Sequence, residues 1–336
     1  MMMKKLIVFQ MILVCSIILM ACSGKTDSSA GTSLDADGTA VTKSDLTFIV
    51  VPKGVHPWFD EVNKGAQEEA RILSKELGRK VTVDFRAPNT PDVAEQNTIL
   101  AQAAATRPTG IAFDPDDWAA NKAVVDEIRA QGIPVMIFDA SAPEGSGLTS
   151  VGNNFTEQAA MASDYLANLL GGQGKVAIMR GVPTASNHEE RFAAHQATLA
   201  KYPGISVVAI GISNDNIQEA QSQASAIIVQ NPDLDGFVCC DAAAPIGIGN
   251  AIKEAGKVGQ IKLVGLENQI EMLTLIKDGV MQASSCTVPR VQGSMTVLML
   301  WQAFLGVKIP AVVDTGIDFV TPENVDEWIS IVQGSN

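Results

Sequence analysis

Short apolar runs alternate with stretches of helical periodicity from residue 46 to residue 305. The run at 48–51, Phe-Ile-Val-Val, is β-branched and aromatic, which is typical of a buried strand. Pro52 and Gly54 break this run, and Pro57 suits the first position of a helix. The apolar residues on one face of that helix are Phe59, Val62, Ala66 and Ala70. The pattern predicts a strand, a loop and a helix, and in an α/β sheet such a loop lies where ligands bind.

The same alternation continues along the chain and predicts two α/β lobes. Further strands are predicted at 81–85, 110–113, 134–138, 149–151, 175–179, 206–210, 236–240, 262–264 and 282–285. Further helices are predicted at 92–105, 117–131, 155–170, 189–200, 217–229, 246–255, 270–277 and 291–305. Such alternation forms parallel sheets with helices on both faces, and there are too many strands for one ordinary sheet. A β/α barrel is the alternative fold, and more than about eight strand–helix units count against it.

Polar side chains follow five of the predicted strands. They are Asp114, Asp139, Asn153 with Asn154, Asp241 and Glu267. The carboxyl ends of parallel strands meet at one edge of a sheet, where ligands are bound. Any single one of these residues could instead cap the next helix. Polar residues at five strand ends together favour a cleft lined by hydrogen-bond acceptors.

The first loop adds three candidate ligand-binding residues with aromatic or imidazole rings to this cleft. His56, Trp58 and Phe59 follow the first strand, and a binding loop needs side chains that the core does not need. An alternative stays open, in which Trp58 and Phe59 simply cover the strand.

The N-terminus predicts export and lipid attachment. Lys4 and Lys5 precede an apolar run at 6–20, and Leu-Met-Ala-Cys follows at 19–22. A basic start, a short apolar core and small residues before a cleavage point are typical of a signal peptide, here residues 1–21. The ending resembles the lipobox of bacterial lipoproteins, which implies a diacylglycerol on Cys22. An uncleaved membrane helix is the alternative, and the shortness of the run counts against it.

Residues 22–45, rich in Ser, Thr, Gly, Asp and Ala, are predicted to be a flexible tether.

Charge and cysteine content narrow the classes of function. A net charge of −13 argues against binding nucleic acid through a basic face. The five cysteines include no Cys-x-x-Cys pair, and Cys239 and Cys240 lie together in an apolar run. We therefore expect buried thiols rather than a disulfide framework.

No motif for catalysis, a cofactor or a metal is complete. Residues 247–252 lack the third glycine of a dinucleotide fingerprint, and residues 171–176 lack the first glycine of a phosphate loop. Phe192 stands where a zinc motif beginning at His188 needs its second histidine, and His188 with His195 has no clear third ligand. A pair of catalytic carboxylates of the glycosidase kind stays open as an alternative, because the distance that matters between them is in space and not along the chain. We expect no enzyme, no cofactor and no metal.

Several short pieces occur in a shared order. They are Val50-Val51 before Pro57-Trp58-Phe59 and Gly65-Ala66, Asp114-Pro115, Pro134-Val135 before Asp139, Val151-Gly152-Asn153-Asn154, Glu190-Arg191, Asn231-Pro232-Asp233 and Val264-Gly265-Leu266-Glu267. From about residue 46 to 330 the chain thus resembles the type I periplasmic binding proteins of the ribose/galactose group, which deliver sugars to ABC importers. The resemblance implies two Rossmann-like lobes with parallel sheets joined by a three-segment hinge. Residues 46–152 and 288–316 would form the N-terminal lobe, and residues 153–287 and 317–330 the C-terminal lobe.

The resemblance also implies a set of ligand-binding residues. By position they are His56, Trp58, Phe59, Asp114, Asp139, Asn153, Arg191, Asp241, Glu267 and Thr287. The aromatic rings would stack on a sugar, the carboxylates would accept from its hydroxyls, and the arginine would donate in a fork. The chain departs from the group at Ala140, where an arginine is usual, and at Glu267, where a shorter acid is usual. The ligand therefore need not be ribose or galactose.

The expected function is extracytoplasmic binding of a neutral monosaccharide or small polyol and its delivery to an ABC permease. An anionic ligand would meet an acidic cleft without enough partners, while a cationic ligand stays open. We expect a monomer without a nucleic-acid partner, held to the cell membrane by its lipid alone. The alternative is a ligand-binding sensor that serves a chemoreceptor, a histidine kinase or autoinducer detection. Related transcription repressors carry a helix-turn-helix domain at the position where this chain has its predicted signal peptide.

Overall fold

The computed structural model describes residues 33–34, 40–41, 44–55 and 57–333. The chain divides into two units, Met1–Ser44 and Asp45–Asn336. In the first unit, strand β1 (Ser33–Leu34) pairs antiparallel with strand β2 (Ala40–Val41). The predicted signal peptide and most of the predicted tether lie outside the described residues. Within the described part, no helix is long and apolar enough to cross a membrane.

The second unit contains two six-stranded sheets. The first sheet holds β3 (Leu46–Val51), β4 (Val81–Phe85), β5 (Gly110–Phe113), β6 (Val135–Phe138), β7 (Ser150–Gly152) and β13 (Val312–Asp314). Its strands lie in the order β13-β7-β6-β5-β3-β4, and every pair is parallel.

The second sheet repeats this plan. It holds β8 (Gln173–Arg180), β9 (Gly204–Ile212), β10 (Gly236–Cys239), β11 (Lys262–Leu266), β12 (Ala283–Cys286) and β14 (Asp318–Val320). The order is β14-β12-β11-β10-β8-β9, and only the edge strand β14 runs antiparallel to its neighbour.

Ten helices among the described residues of the second unit cover the faces of these sheets. The N-terminal lobe holds α1 (Pro57–Leu77), α2 (Val93–Ala105), α3 (Trp118–Ala130) and α9 (Pro289–Phe304). The C-terminal lobe holds α4 (Phe155–Leu169), α5 (Ser186–Leu199), α6 (Ile217–Gln230), α7 (Ala244–Glu254), α8 (Ile270–Lys277) and α10 (Val325–Val332).

The chain passes between the two sheets three times. The passages follow β7 and β12 and join β13 to β14. This arrangement confirms the predicted fold class of two parallel-sheet α/β lobes joined by three segments. The residue boundaries proposed for the two lobes stay a prediction.

Both faces are buried in the inner strands β3, β5, β6, β10 and β12, whereas the edge strand β9 is largely exposed. In β3, Phe48 and Val50 join one apolar cluster of the lobe, and Ile49 and Val51 join another. In a sheet covered on both sides, a continuous apolar run is the expected strand pattern. Cys239 and Cys240 divide in the same way between the two clusters of the other lobe, where they are buried free thiols as predicted.

Two glycines let α1 and α9 approach until their backbones touch. A Cβ on Gly65 would lie 1.9 Å from the carbonyl oxygen of Arg290, and one on Gly293 would lie 2.0 Å from that of Val62. A side chain at either position would push the helices apart. The contact therefore fixes the start of α1, which carries Trp58, beside the passage that precedes α9.

The C-terminal end of the chain contains elements that the apolar pattern did not predict. Strands β13 and β14 have three residues each, too few to show an alternation, and α10 was also missed. Helix α5 begins at Ser186 instead of residue 189, because its cap Ala185 has no side chain that could mark the start.

Candidate functional site

A small cavity lies between the lobes where the carboxyl ends of the two sheets face each other. Its lining residues are Trp58, Phe59, Asp139, His188, Arg191, Asp215, Ala242 and Glu267. Its volume is about 10 Å³, roughly the space of one water molecule. Five of the eight residues were predicted from the sequence, whereas His188, Asp215 and Ala242 were not. A larger groove of about 480 Å³, lined among others by Lys64, Arg290 and Trp328, contains none of the strand-end acids.

The aromatic pair at the start of α1 serves the core and the cavity together. The rings of Trp58 and Phe59 meet edge to face with their centroids 5.2 Å apart. Both side chains are buried in the apolar cluster around Phe48 and also line the cavity. Trp58 Nε1 donates to Thr287 Oγ1 over 2.9 Å, which orients the indole. Covering the strand and lining the cleft are therefore not exclusive alternatives.

The N-terminal lobe carries a buried cation that the sequence analysis missed. Lys53 follows β3 and is completely buried. Its Nζ donates to Asp114 Oδ2, and it lies 3.9 Å from Asp139 Oδ2. Burial alone would lower the pKa of Lys53, but the charges of Asp114 and Asp139 outweigh it, so the pKa lies above its ordinary value. A rule that searched strand ends for bases as well as acids would have found this lysine.

Asn187 of α5 joins the two lobes directly. Its Nδ2 donates to Asp139 Oδ2 over 3.0 Å, and its Oδ1 accepts from Lys53 Nζ over 3.4 Å. Asn187 is completely buried. Hydrogen bonds between the lobes therefore involve a carboxylate that lines the cavity.

Arg191 is held by neutral acceptors of the C-terminal lobe. Nε donates to Gln158 Oε1 over 2.8 Å, and Nη1 donates to the carbonyl oxygen of Cys240 over 3.2 Å. The guanidinium carbon lies 4.7 Å from the ring centroid of Phe155, within the range of a cation–π contact. These contacts fix the plane of the guanidinium, which has five N–H donors in total.

Glu267 is fixed by the passage that leads from β12 to α9. Oε2 accepts from the backbone N–H of Thr287 over 3.0 Å and from its hydroxyl over 2.5 Å. Burial raises the pKa of Glu267, while the charge of Arg191 opposes the shift. Glu267 has φ 73° and Asp139 has φ 51°, so both cavity-lining strand-end acids adopt the left-handed backbone that side chains rarely tolerate. Such backbone positions concentrate at functional sites.

Asp241 and Asn153 lie beside the cavity instead of lining it. Asp241 Oδ1 accepts from the backbone N–H groups of Ala243 and Ala244 at the start of α7, and Oδ2 accepts from Ser213 Oγ over 2.5 Å. Burial and the charge of Asp215 raise the pKa of Asp241 to about 7.

Asn153 lies in the first passage between the lobes. It donates to Gln158 over 3.3 Å and accepts from Gln292 over 3.2 Å. His56, the remaining predicted site residue, lies outside the described residues.

The histidines with described side chains offer no metal site. His188 Nδ1 accepts from the backbone N–H of Val182 over 2.8 Å. His195 is buried between Ser163 and the carbonyl oxygen of Cys239, at 2.7 and 3.0 Å, and burial lowers its pKa to about 4. No group of three metal-binding side chains occurs among the residues that the structure describes.

Comparisons with known proteins show that the chain is similar to solute-binding proteins. Residues 47–308 match the family model of the periplasmic binding protein domain. The D-ribose/D-allose-binding protein of Pseudomonas aeruginosa is 27% identical over 194 residues, which cover 56% of this chain and 60% of that protein, under two thirds of its length. The ribose import binding protein RbsB of Bacillus subtilis is 26% identical over 242 residues, or 71% of this chain and 75% of that one.

Solved structures agree with these relatives. GanP, a glucose-galactose binding protein from Geobacillus stearothermophilus, has a TM-score of 0.77 at 25% identity, with 84% of this chain and 99% of that chain covered. An ABC transporter solute binding protein from Burkholderia graminis, solved in complex with D-arabinose, also has a TM-score of 0.77, at 26% identity, covering 83% of this chain and 96% of that chain.

Proposed function

We propose, from the premise that this chain belongs to the periplasmic binding protein domain family, that it binds a monosaccharide or small polyol between its lobes. The protein would act outside the cytoplasm and deliver the ligand to an ABC permease. The observation that carries this proposal is the interlobe cavity, which combines an aromatic pair with Asp139, Arg191 and Glu267. The relatives reported above are named as sugar-binding proteins, which does not favour the sensor alternative. The family role is binding, and we assign no catalysis.

The chemistry of the lining suits a neutral polyhydroxylated ligand. Trp58 and Phe59 offer apolar faces for the C–H side of a ring, and Asp139 and Glu267 accept from hydroxyls. Arg191 donates in a fork. Lys53 is a second buried cation, next to Asp114 and Asp139. It supplies a positive charge in the same lobe as Ala140, where the family usually has an arginine. We assign direct ligand contact to the five lining residues predicted from sequence. Asp114, Asn153, Asp241 and Thr287 would support them.

Ligand entry requires the lobes to part, because the cavity of about 10 Å³ is far smaller than a sugar ring. The three passages between the sheets would act as the hinge. Small-angle scattering at saturating ligand should show a more compact particle than scattering without ligand. A radius of gyration that does not change on saturation would count against hinge closure.

Calorimetry against a panel of neutral sugars, polyols, sugar phosphates and polyamines tests the ligand class. We expect at least one neutral sugar or polyol to bind with about micromolar affinity, since a few charge-assisted hydrogen bonds plus ring burial supply roughly 8 kcal/mol. A phosphorylated ligand would leave its charge unpaired in an acidic cleft. Tight binding of a sugar phosphate, with the neutral compounds silent, would overturn the assignment.

We further propose that the mature chain is a monomer attached to the cell membrane through lipid on Cys22. The Leu-Met-Ala-Cys ending supports this, and two acyl chains suffice for stable attachment. Metabolic labelling with a tagged fatty acid should mark the wild type and spare Cys22→Ser. Label that persists in the variant would contradict the assignment.

A further inference from the structure

Gln158 connects the two charged side chains of the C-terminal lobe that line the cavity. It lies in the first turn of α4 and is completely buried. Its Oε1 accepts from Arg191 Nε over 2.8 Å, and its Nε2 donates to the carbonyl oxygen of Ser285 over 3.0 Å and to Glu267 Oε1 over 3.4 Å. Arginine can only donate and a carbonyl oxygen can only accept, so these partners leave one orientation for the amide.

The amide also keeps opposite charges apart. Arg191 and Glu267 are both buried and face the same cavity, yet no ion pair joins them in the part of the chain that the structure describes. Instead, each is hydrogen-bonded to one end of the Gln158 amide. Without this spacer, a buried guanidinium and a buried carboxylate would gain by pairing with each other. A direct pair would consume the donors and acceptors that a polyol needs.

The same side chain is linked to the passages between the lobes. Asn153, in the first passage, donates to Gln158 Oε1 over 3.3 Å and accepts from Gln292 of α9 over 3.2 Å. Glu267 is bonded to Thr287 in the second passage, and Thr287 accepts from Trp58 of the N-terminal lobe. Hydrogen bonds thus run from both passages to the amide that holds Arg191 and Glu267.

From these contacts we propose that Gln158 is a positioning residue for ligand recognition. It holds Arg191 and Glu267 separately oriented toward the ligand, and it ties their geometry to two of the three passages between the lobes. Groups held in place before binding need no reordering when the ligand arrives, which raises affinity. This inference rests on the proposed function, because it takes Arg191 and Glu267 as ligand contacts.

Two substitutions separate positioning from simple packing. Gln158→Met has an unbranched side chain of similar length and removes both the donor and the acceptor. We expect it to weaken binding of the neutral ligand found in the calorimetric panel by about 10- to 150-fold, the effect of one hydrogen bond to a charged group. Gln196→Met, on the exposed face of α5, is the matched control and should leave affinity unchanged. Thermal unfolding of each variant checks that it folds.

Gln158→Glu adds a readout that a packing role would not change. Its carboxylate keeps an acceptor for Arg191 but places a like charge against Glu267, whose pKa is raised by burial, lowered by the charge of Arg191 and raised by that of Asp139. Two carboxylates at this distance share one proton as the pH falls, and the shared proton restores a donor toward Glu267. The ratio of variant to wild-type Kd should therefore fall toward one between pH 8 and pH 5. A ratio that is the same at both pH values would overturn the proposal.

The Nε–H resonance of Arg191 gives a test that needs no ligand. It is assigned by its loss in Arg191→Lys, and we expect it to shift in Gln158→Met because its acceptor is gone. An unshifted resonance would overturn the positioning role. If the whole panel stays silent with the wild type while this resonance shifts, the proposed function fails and the contact is upheld. If a sugar binds equally well to wild type and Gln158→Met, the positioning role alone fails.

Discussion

In the N-terminal lobe the buried strand-end acids share a buried cation, whereas in the C-terminal lobe they are held by neutral donors. Lys53 donates to Asp114 and lies 3.9 Å from Asp139. In the C-terminal lobe, Glu267 accepts from Thr287, and Asp241 accepts from Ser213 and from the start of α7. The two sheets place acids at equivalent edges, but charge is balanced by charge on one side and by hydrogen bonds on the other.

The difference leaves the cations in unequal positions. Lys53 is paired with Asp114, donates to Asn187 as well and has no exposed surface. Arg191 donates to the amide of Gln158 and the carbonyl oxygen of Cys240. A cation held by neutral acceptors keeps more of its charge available to a partner than one already paired. We therefore assign Lys53 chiefly to the stability of its lobe and Arg191 chiefly to recognition.

Removal of Lys53 should have the largest effect on stability. Lys53→Met leaves Asp114 buried without its cation, and breaking a buried pair in this way costs about 3–5 kcal/mol. Arg191→Met breaks no ion pair in the described part of the chain and leaves two neutral acceptors unsatisfied, for which roughly 1–3 kcal/mol is expected. Urea unfolding measures both losses.

The double variant Lys53→Met/Asp114→Asn is the control for this prediction. Because it removes both charges of the contact, it should recover part of the stability lost in Lys53→Met. Equal losses in the two single variants, or no recovery in the double variant, would break the comparison between the lobes.

The strand-end acids themselves were predictable, and their partners were not. Apolar runs such as 48–51 predict a buried strand, and parallel strands bring Asp114, Asp139, Asp241 and Glu267 to facing edges. Spacing along the chain carries no record of Lys53 meeting Asp114, because 61 residues separate them and only the fold brings them together. The same is true of Gln158, which lies inside a helix and 109 residues from Glu267.

The question of capping or binding also needed the structure. Asp241 accepts from backbone N–H groups at the start of α7, as the capping alternative required, and it does not line the cavity. Asp139 and Glu267 line the cavity in a left-handed backbone conformation. Both kinds of position look the same in the sequence, namely an acid after an apolar strand.

Unfolding should depend on pH through a carboxyl group in each lobe. Burial raises the pKa of Asp116 to about 7, with the charge of Lys53 opposing and those of Asp215, Asp92 and Asp117 adding to the shift. Its counterpart in the C-terminal lobe is Asp241, also at about 7. A folded-state pKa above the unfolded value means that folding binds a proton. This contribution to stability is complete below about pH 4 and is lost as pH rises to about 7, by about 1.4 kcal/mol per pH unit for each group.

Asp116→Asn tests this prediction, because both carboxylate oxygens of Asp116 are buried without a hydrogen-bond partner among the described residues. The variant should be more stable than the wild type at pH 8 and show a flatter dependence on pH in urea unfolding. Asp241→Asn should flatten the dependence too but gain less at pH 8, since three donors already stabilise that carboxylate. An unchanged pH dependence of stability in Asp116→Asn would rule out a contribution of Asp116 to that dependence.

Affinity should respond to one cavity-lining residue of each lobe by a similar amount. Asp139→Asn removes an acceptor charge and Arg191→Gln removes the fork, and each should weaken binding by about 10- to 150-fold. Calorimetry with the ligand from the panel measures both, and Arg191→Lys, which keeps the charge without the planar fork, should fall between wild type and Arg191→Gln. Wild-type affinity in Asp139→Asn would remove that residue from the ligand contacts.

Ion pairs far from the cleft should show the smallest effect and no difference between the lobes. Lys122 and Asp126 lie 2.5 Å apart on α3, and Lys277 and Asp326 lie 2.7 Å apart between α8 and α10, with all four side chains at least half exposed. Water screens such charges, so a double-mutant cycle to alanine should give at most about 0.5 kcal/mol for either pair. Similar small values would confine the contrast between the lobes to the buried groups. A coupling above about 1 kcal/mol in one lobe alone would show that the surface charges of the two lobes also differ, and the contrast would then not be a property of the cleft.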